Sequence, residues 1–591
     1  MKQFIKYTLA TVVGIVIAAG LIAVVSFSAL VALLSAEDGS VEVKDKSVFV
    51  LSLSGTLEER AAEDVLGWLT GDTDNSIGLQ DIVESIQKAK SDPNIKGIYV
   101  RARAWSCDAP ASAQAIRDAL ADFKASGKWI VSYADAYTQT SYYICSVADK
   151  VFLNPQGMID WHGISSQPFF VKDMLAKVGV KVQMSKVGKY KSYPEMFTSD
   201  GMSAPNREQT AAYINNIWNV MVEGVSESRG IFPGKLNRYA DSLILFTAPE
   251  RYVDMKLVDT LLYVDEVKEQ IKALTDAGDV DDVNFLTLDD MKELDAPAGD
   301  GGEIAVYYAY GDIVKSVSSS ISDEVCIASD DVCADIRDLM DDDNVKAVVL
   351  RVNSGGGDAY AASLIWRAVS ELKEVKPVVV SMGGYAASGG YYISCPANYI
   401  YAYPTTVTGS IGIFGMFPDF SELLTDKLGI KFDEVKTNKY STFGNPSRPF
   451  SNDEMARINV YIERGYNDFR ECVSKGRSKS VADVEKIAQG RVWTGDDAVR
   501  IGLVDELGGL DDAVKKAAEL AELDKWHTES YPAMPDIWER LMSDLSGVDD
   551  VSSRVKAALG DCYYPLMLLN HISKDKQSVA QARLMQRVII E

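Results

Sequence analysis

A tandem α/β architecture, one domain present twice, is the fold class this sequence predicts, and three observations carry it. An internal repeat comes first: Asn94-Ile-Lys-Gly-Ile-Tyr-Val-Arg101 returns as Asn344-Val-Lys-Ala-Val-Val-Leu-Arg351, 250 positions later. The register then persists. Lys128-Trp-Ile-Val-Ser132 answers Lys376-Pro-Val-Val-Val-Ser381 with a small offset, Ser141-Tyr-Tyr-Ile144 answers Gly390-Tyr-Tyr-Ile393, and Leu175-Ala-Lys-Val-Gly-Val-Lys181 answers Thr425-Asp-Lys-Leu-Gly-Ile-Lys431. Finally, short β-branched runs alternate with amphipathic stretches such as 112–123 and 361–372, the pattern of βαβ units around a parallel sheet in each half.

Residues 7–36 contain no charged side chain, a length sufficient to cross a hydrocarbon core of about 30 Å as a helix. Lys2 and Lys6 precede this run and Glu37-Asp38 follow it, so the positive-inside rule keeps the short N-terminus cytoplasmic and exports the rest. A cleaved signal peptide is the competing reading. Its apolar core is usually about 7–15 residues, and a cut after Ala36 puts the bulky Leu34 at −3, so an uncleaved anchor is expected.

The 591 residues carry a formal net charge of −25, enough chain for two or more domains. That acidity argues against nucleic acid as a partner and against a polybasic hold on lipid. Seven cysteines, Cys107, Cys145, Cys326, Cys333, Cys395, Cys472 and Cys562, show no Cys-x-x-Cys pair, so neither a zinc site nor any other metal or cofactor is expected. Cys326 and Cys333 are close enough in sequence to bridge a short loop, with free buried thiols as the alternative. The expected divisions are a short N-terminus over 1–6, an anchor over 7–36, a first half over 46–293, a linker over 294–303 rich in Gly, Ala and Pro, a second half over 304–525, and an extension of unassigned role over 526–591. Its apolar runs at 566–569 and 584–590 are too short to span a bilayer and suggest packing or subunit contact.

Chemistry concentrates in Ser381-Met-Gly-Gly-Tyr-Ala-Ala-Ser-Gly-Gly-Tyr-Tyr-Ile-Ser394, which sets Ser388 between two alanines and two glycines after a predicted strand. Small neighbours permit close backbone approach, and Gly389 offers an N–H to a developing oxyanion. The repeat supplies an internal comparison: Ser388 faces Gln139, and Asn353-Ser-Gly-Gly-Gly-Asp358 faces Arg103-Ala-Trp-Ser-Cys-Asp108. The first half has lost both the nucleophile and the glycine turn. Conversely, Gly188-Lys-Tyr-Lys-Ser192 aligns with Asn438-Lys-Tyr-Ser-Thr442, so Lys189 has a counterpart and Lys191 has none. Lys189 reads as structural and Lys191 as specialised. An active site assembled from Lys191 of one half and Ser388 of the other follows.

A serine nucleophile needs a base, usually histidine, and only His162, His527 and His571 exist. A lysine serves if burial lowers its pKa enough to leave it unprotonated. A hydroxyl that holds the amine in place would help, and Thr408-Gly-Ser-Ile-Gly412 supplies Ser410.

Together the Ser388 segment, Thr408-Gly-Ser-Ile-Gly-Ile-Phe-Gly415, Arg491-Val-Trp-Thr-Gly-Asp-Asp-Ala498, Gly-Lys-Tyr-Lys-Ser and Gly502-Leu-Val-Asp-Glu-Leu-Gly508 resemble the long form of the signal peptide peptidase A (protease IV) family over nearly the whole chain. The resemblance implies tandem ClpP/crotonase-like domains, each a superhelix of parallel sheet with flanking helices. It implies a serine endopeptidase with Ser388 as nucleophile, Lys191 as general base and Ser410 orienting the lysine. Oxyanion donors map to the backbone N–H groups of Gly389 and of Gly356 or Gly357; the family has proline where Gly355 stands. It further implies a homotetramer anchored by the N-terminal helix in the bacterial inner membrane, its catalytic domains on the periplasmic side, degrading signal peptides and other apolar peptides. Two other classes compete with it: a crotonase-type acyl-CoA enzyme, from whose thioester substrates export would remove it, and a non-catalytic membrane scaffold, which calls for Ser388 exposed and far from Lys191.

Overall fold

The computed structural model describes residue 7 and residues 42–61, 76–294, 301–317, 325–534 and 580–584. The expected anchor at 7–36, apart from residue 7, and Cys562, His571 and the apolar run at 566–569 lie outside the described residues. Among those described, no helix is long and apolar enough to cross a membrane.

Each half is built on a parallel sheet, as the repeat predicts. In the first, the strands run in the order Ser76–Gly78, Ser47–Glu58, Ile95–Ser106, Trp129–Tyr137, Lys150–Ile159 and Thr260–Leu261, with Phe285–Leu286 also paired to Ser47–Glu58. In the second, Trp526–Tyr531, Gly302–Tyr310, Val345–Ser354 and Val378–Ala387 are parallel neighbours. Past them, Val378–Ala387 pairs first with Tyr399–Ala402 and then with Val407–Gly409. Every residue of Val378–Ala387 is buried, the expectation for a central parallel strand covered on both faces.

The amphipathic stretches form helices on these sheets, Pro110–Ala125 in the first half and Ala359–Lys373 in the second. The second buries Ala361, Ala362, Ile365, Ala368, Val369 and Leu372, a stripe at helical spacing. Asp358 starts it, its Oδ1 accepting from the Ala361 N–H at 2.8 Å.

The chain departs from the expected divisions at two points. Gly302 and Glu303, assigned to the linker, already pair in the second sheet. Trp526–Tyr531, assigned to the extension, is that sheet's edge strand, lying parallel to Gly302–Tyr310. Composition changes character at 526, but the strand lies at an edge, none of its residues is fully buried, and so it lacks the apolar run of a central strand.

The halves interlock. Tyr385, Tyr403, Val407 and Val492 of the second half belong to the first half's core. Glu59 pairs with Arg351 at 2.6 Å across the boundary, the two side chains only 4% and 3% exposed. Burial works against the Arg351 charge, and the Glu59 carboxylate overcomes it, holding the guanidinium pKa above its ordinary value. A third sheet joins everything at the site: Cys326–Ala328, Asp312–Val314, Gly356–Asp358, Gln581–Arg583, Phe414–Asp419 and Lys181–Lys186, in that order.

Candidate active site

Ser388 stands where the buried strand Val378–Ala387 gives way to the short helix Gly389–Ser394. Its backbone adopts φ 57° and ψ −112°, a positive-φ conformation that a residue with a Cβ takes only at a cost of about 1–3 kcal/mol. Two bonds hold it there: the Ser388 N–H donates to Gly409 O at 2.8 Å, and its carbonyl accepts from Tyr392 N–H at 2.9 Å. The flanking glycines are required by close approach of the protein's own backbone. A Cβ on Gly389 would lie 3.1 Å from the Gly356 Cα, and one on Gly390 would lie 2.6 Å from the Ser354 carbonyl oxygen.

Lys191 arrives from the other half. The strand Lys181–Lys186 runs antiparallel to Phe414–Asp419, and the Tyr190 N–H donates to Gln489 O at 3.0 Å, so the segment leading to the lysine is tied to second-half backbone at both of these points. Its Nζ lies 2.6 Å from Ser388 Oγ, 3.1 Å from Ser410 Oγ and 3.2 Å from the Ser410 carbonyl oxygen. The residue is 1% exposed and Ser388 is fully buried. Room for the lysine stem comes from two further glycines: a Cβ on Gly490 would stand 2.6 Å from the Lys191 Cβ, and one on Gly412 would stand 3.3 Å from its Cδ. The Phe414 ring centroid lies 5.9 Å from Nζ. Burial alone pushes the amine pKa well below the ordinary lysine value, because among the described residues no carboxylate is placed to favour the ammonium. A neutral amine touching a buried hydroxyl can accept its proton.

Ser410 itself has a positive φ of 49°, and its N–H donates to Arg491 O at 2.7 Å, fixing the hydroxyl beside the amine. The two candidate oxyanion glycines are separated by their bonds. Gly356, at φ 99°, donates its N–H to Ser354 Oγ at 3.1 Å. The Gly357 nitrogen is beside Gly389, 3.2 Å from where a Cβ on that residue would stand.

The remaining sequence candidates lie elsewhere. Gln139, the counterpart of Ser388, accepts through Oε1 from the N–H groups of His162 (3.1 Å) and Gly163 (2.9 Å). His162 is half-exposed and in contact with Asp160 at 2.6 Å. His527 lies on the edge strand Trp526–Tyr531. The Lys189 amine lies 4.8 Å from the Tyr190 ring, and its counterpart Lys439 repeats the contact with Tyr440 at 4.9 Å. Their shared role is this stacking on the next residue. The six described cysteines, Cys326 and Cys333 included, form no disulfide with one another. Sequence reading missed Gly412, Gly490 and Phe414; the positive φ of 76° at Gly490 is a signal only once a fold is known.

A family model described as peptidase family S49 matches this chain twice, over residues 122–278 and 370–524. A protein named Protease 4 from Salmonella typhi is 38% identical over 479 residues, covering 79% of this chain and 76% of that protein. Another Protease 4, from Haemophilus influenzae, is 36% identical over 522 residues, 85% of this chain and 82% of that one. Among solved structures, a point mutant of ClpP1 from Listeria monocytogenes matches at TM-score 0.24 and 16% identity, over 35% of this chain and 94% of that chain. That likeness is too slight to argue from, and the fold rests on the strand order above.

Proposed function

This chain belongs to peptidase family S49 and is a serine peptidase, and from that premise we propose that it cuts peptide bonds with a Ser388–Lys191 dyad divided between its two halves. One observation carries the assignment: a buried lysine, with no carboxylate beside it among the described residues, touches a buried, backbone-strained serine hydroxyl at 2.6 Å. Neutral Lys191 takes the Ser388 proton as Oγ attacks the substrate carbonyl, and the resulting ammonium returns it to the departing amine. Water, activated by the same amine, then hydrolyses the acyl-enzyme. Ser410 holds the amine through its hydroxyl and carbonyl. The amides of Gly389 and Gly357 face the oxyanion, each contributing on the order of 3 kcal/mol by analogy with other oxyanion holes. The bond of the Gly356 amide to Ser354 favours Gly357 as the second donor.

The finer reading is a membrane-anchored peptidase that degrades released signal peptides, with crotonase-like halves and four copies assembled. The uncharged run at 7–36 and the family resemblance support it. A scaffold without activity would leave Ser388 exposed and distant from Lys191, the opposite of their contact. The decisive test is the pH profile of kcat/KM on a synthetic signal peptide. Because the active form is the neutral amine, activity rises with pH through the depressed lysine pKa and levels off above it. A profile that is flat across that range, with chemistry shown to be rate-limiting, removes Lys191 as the base.

A further inference from the structure

Gln209 stands on the long helix Ala204–Arg229 of the first half, and its side chain reaches into the second. It is only 3% exposed. Its Oε1 accepts from the Val492 N–H at 3.1 Å, while its Nε2 donates to the Tyr190 carbonyl at 3.0 Å and to Ser192 Oγ at 3.1 Å. These partners fix which end of the amide is which, since an N–H requires an oxygen and a carbonyl requires a donor. Lys191 thus sits between two residues held by one buried side chain.

The other end of this bridge holds the lysine amine. The Val492 N–H belongs to the same peptide group as the Arg491 carbonyl, which accepts from the Ser410 N–H at 2.7 Å. Hydrogen bonds therefore run without a break from Ser410 through the 491–492 peptide group and the Gln209 amide to the 190–191 peptide group. Contact of Lys191 Nζ with Ser410 Oγ at 3.1 Å closes the ring. Displacing any member leaves buried polar groups unpaired, so the ring resists distortion.

The repeat serves again as a control. The two long helices start from Ser203 and Ser451, each capping with its own side chain, and in that register Gln209 corresponds to Arg457. The Arg457 side chain is 65% exposed and meets the hydroxyl of Tyr440, the counterpart of Tyr190, at the surface. Like Lys191, Gln209 has no equivalent in the other half.

We propose that Gln209 is a positioning residue, whose amide holds the Lys191 backbone at a fixed distance from Ser410 and Ser388 across the boundary between the halves. This rests on the Ser388–Lys191 assignment. Gln209 acts through the backbone on either side of the lysine, and it lines the same cavity as Lys191 and Ser410. The ionisable groups around the amine are Tyr190, Tyr193 and Arg583 on the cavity wall, Lys186 with Glu195 behind the Lys191 carbonyl, and Arg491 with Glu208 beyond Tyr190.

Two uncharged variants of the full chain test this and leave all those groups in place. Gln209→Met fills similar space without hydrogen bonds, and Gln209→Asn keeps the amide on a stem too short to span both peptide groups. Each is checked for cooperative unfolding, and kcat and KM on a synthetic signal peptide are then followed against pH. For both, kcat is expected to fall about ten- to a hundredfold with KM changed less than about twofold. The rising limb is expected to move up by at least about half a pH unit, because a lysine loosened from its seat is better hydrated. Arg457→Ala should alter neither. An unmoved limb in a variant that folds overturns the proposal whatever happens to kcat. Failure of both variants to fold also overturns it, by making Gln209 a residue of the fold rather than of the lysine's placement. A wild-type profile without the limb, or full activity in Lys191→Ala, would instead overturn the dyad.

Discussion

At one point in the repeated scaffold the first half carries Gln139 and the second carries Ser388, and the two side chains have opposite fates. Gln139 is buried and spends its amide on the His162–Gly163 turn, accepting two N–H bonds and donating one to Gly163 O at 3.2 Å. Ser388 is equally buried, yet its hydroxyl faces a lysine whose pKa burial pushes well below the ordinary value. One half uses the position to hold a loop closed, and the other sets a hydroxyl against a buried amine. The same contrast recurs at the neighbouring strand. Ile95–Ser106 runs on, still paired with its neighbour at Ser106, whereas Val345–Ser354 stops and turns through three glycines. A duplicated fold here preserves packing in both copies and, on the proposed dyad, divides reactivity between them.

The largest expected effect falls on the asymmetric pair. Ser388→Ala should lower kcat/KM by about 10⁴–10⁶, while Gln139→Ala should leave the chemistry intact and lower stability by roughly 1–3 kcal/mol through its unpaired turn amides. Steady-state cleavage and urea unfolding of both variants read the contrast, and comparable losses of activity at the two positions would break it.

Across the interface between halves, Glu59→Ala strands the Arg351 guanidinium in the interior and should cost about 3–5 kcal/mol. Equilibrium unfolding checks this, and a loss under about 1 kcal/mol would mean the halves do not depend on the pair. Lys191→Met should abolish activity yet raise stability at neutral pH. The folded-state pKa is depressed, so between that value and the ordinary 10.5 the unfolded chain holds a proton the folded one lacks. Wild-type stability therefore rises with pH across that window, and the advantage of the methionine variant narrows there. Denaturation at about pH 7 and about pH 10 measures it. Smallest, Ser410→Ala removes one hydrogen bond to the amine and should cost on the order of tenfold in kcat/KM. Its pH limb should move as well, which a purely structural role would not produce.

Much of this is legible in the sequence because the repeat acts as its own control. Ser388 and Lys191 stand out as residues whose counterparts differ, Ser410 as a hydroxyl shortly after the nucleophile, and each half's sheet follows from alternating runs. What stays hidden depends on partners far apart in the chain. The Glu59–Arg351 pair, the glycines at 412 and 490 and the strand at 581–583 carry no local periodicity, and a three-residue strand of Gln, Ala and Arg has no β signature of its own. The Trp526–Tyr531 edge escapes for the same reason, since only its pairing with Gly302–Tyr310 makes it part of the second half.

The walls of the lysine pocket have a consequence for the order of synthesis. Lys191 leaves the ribosome first, and the serine it touches is 197 residues further on, with Gly412, Phe414 and Gly490 later still. Until those residues exist, the amine is in water and holds its proton like any other lysine. Completion of the second half buries the amine and lowers its pKa well below the ordinary lysine value. On the proposed dyad, competence therefore arrives late, when the last wall of the lysine pocket closes.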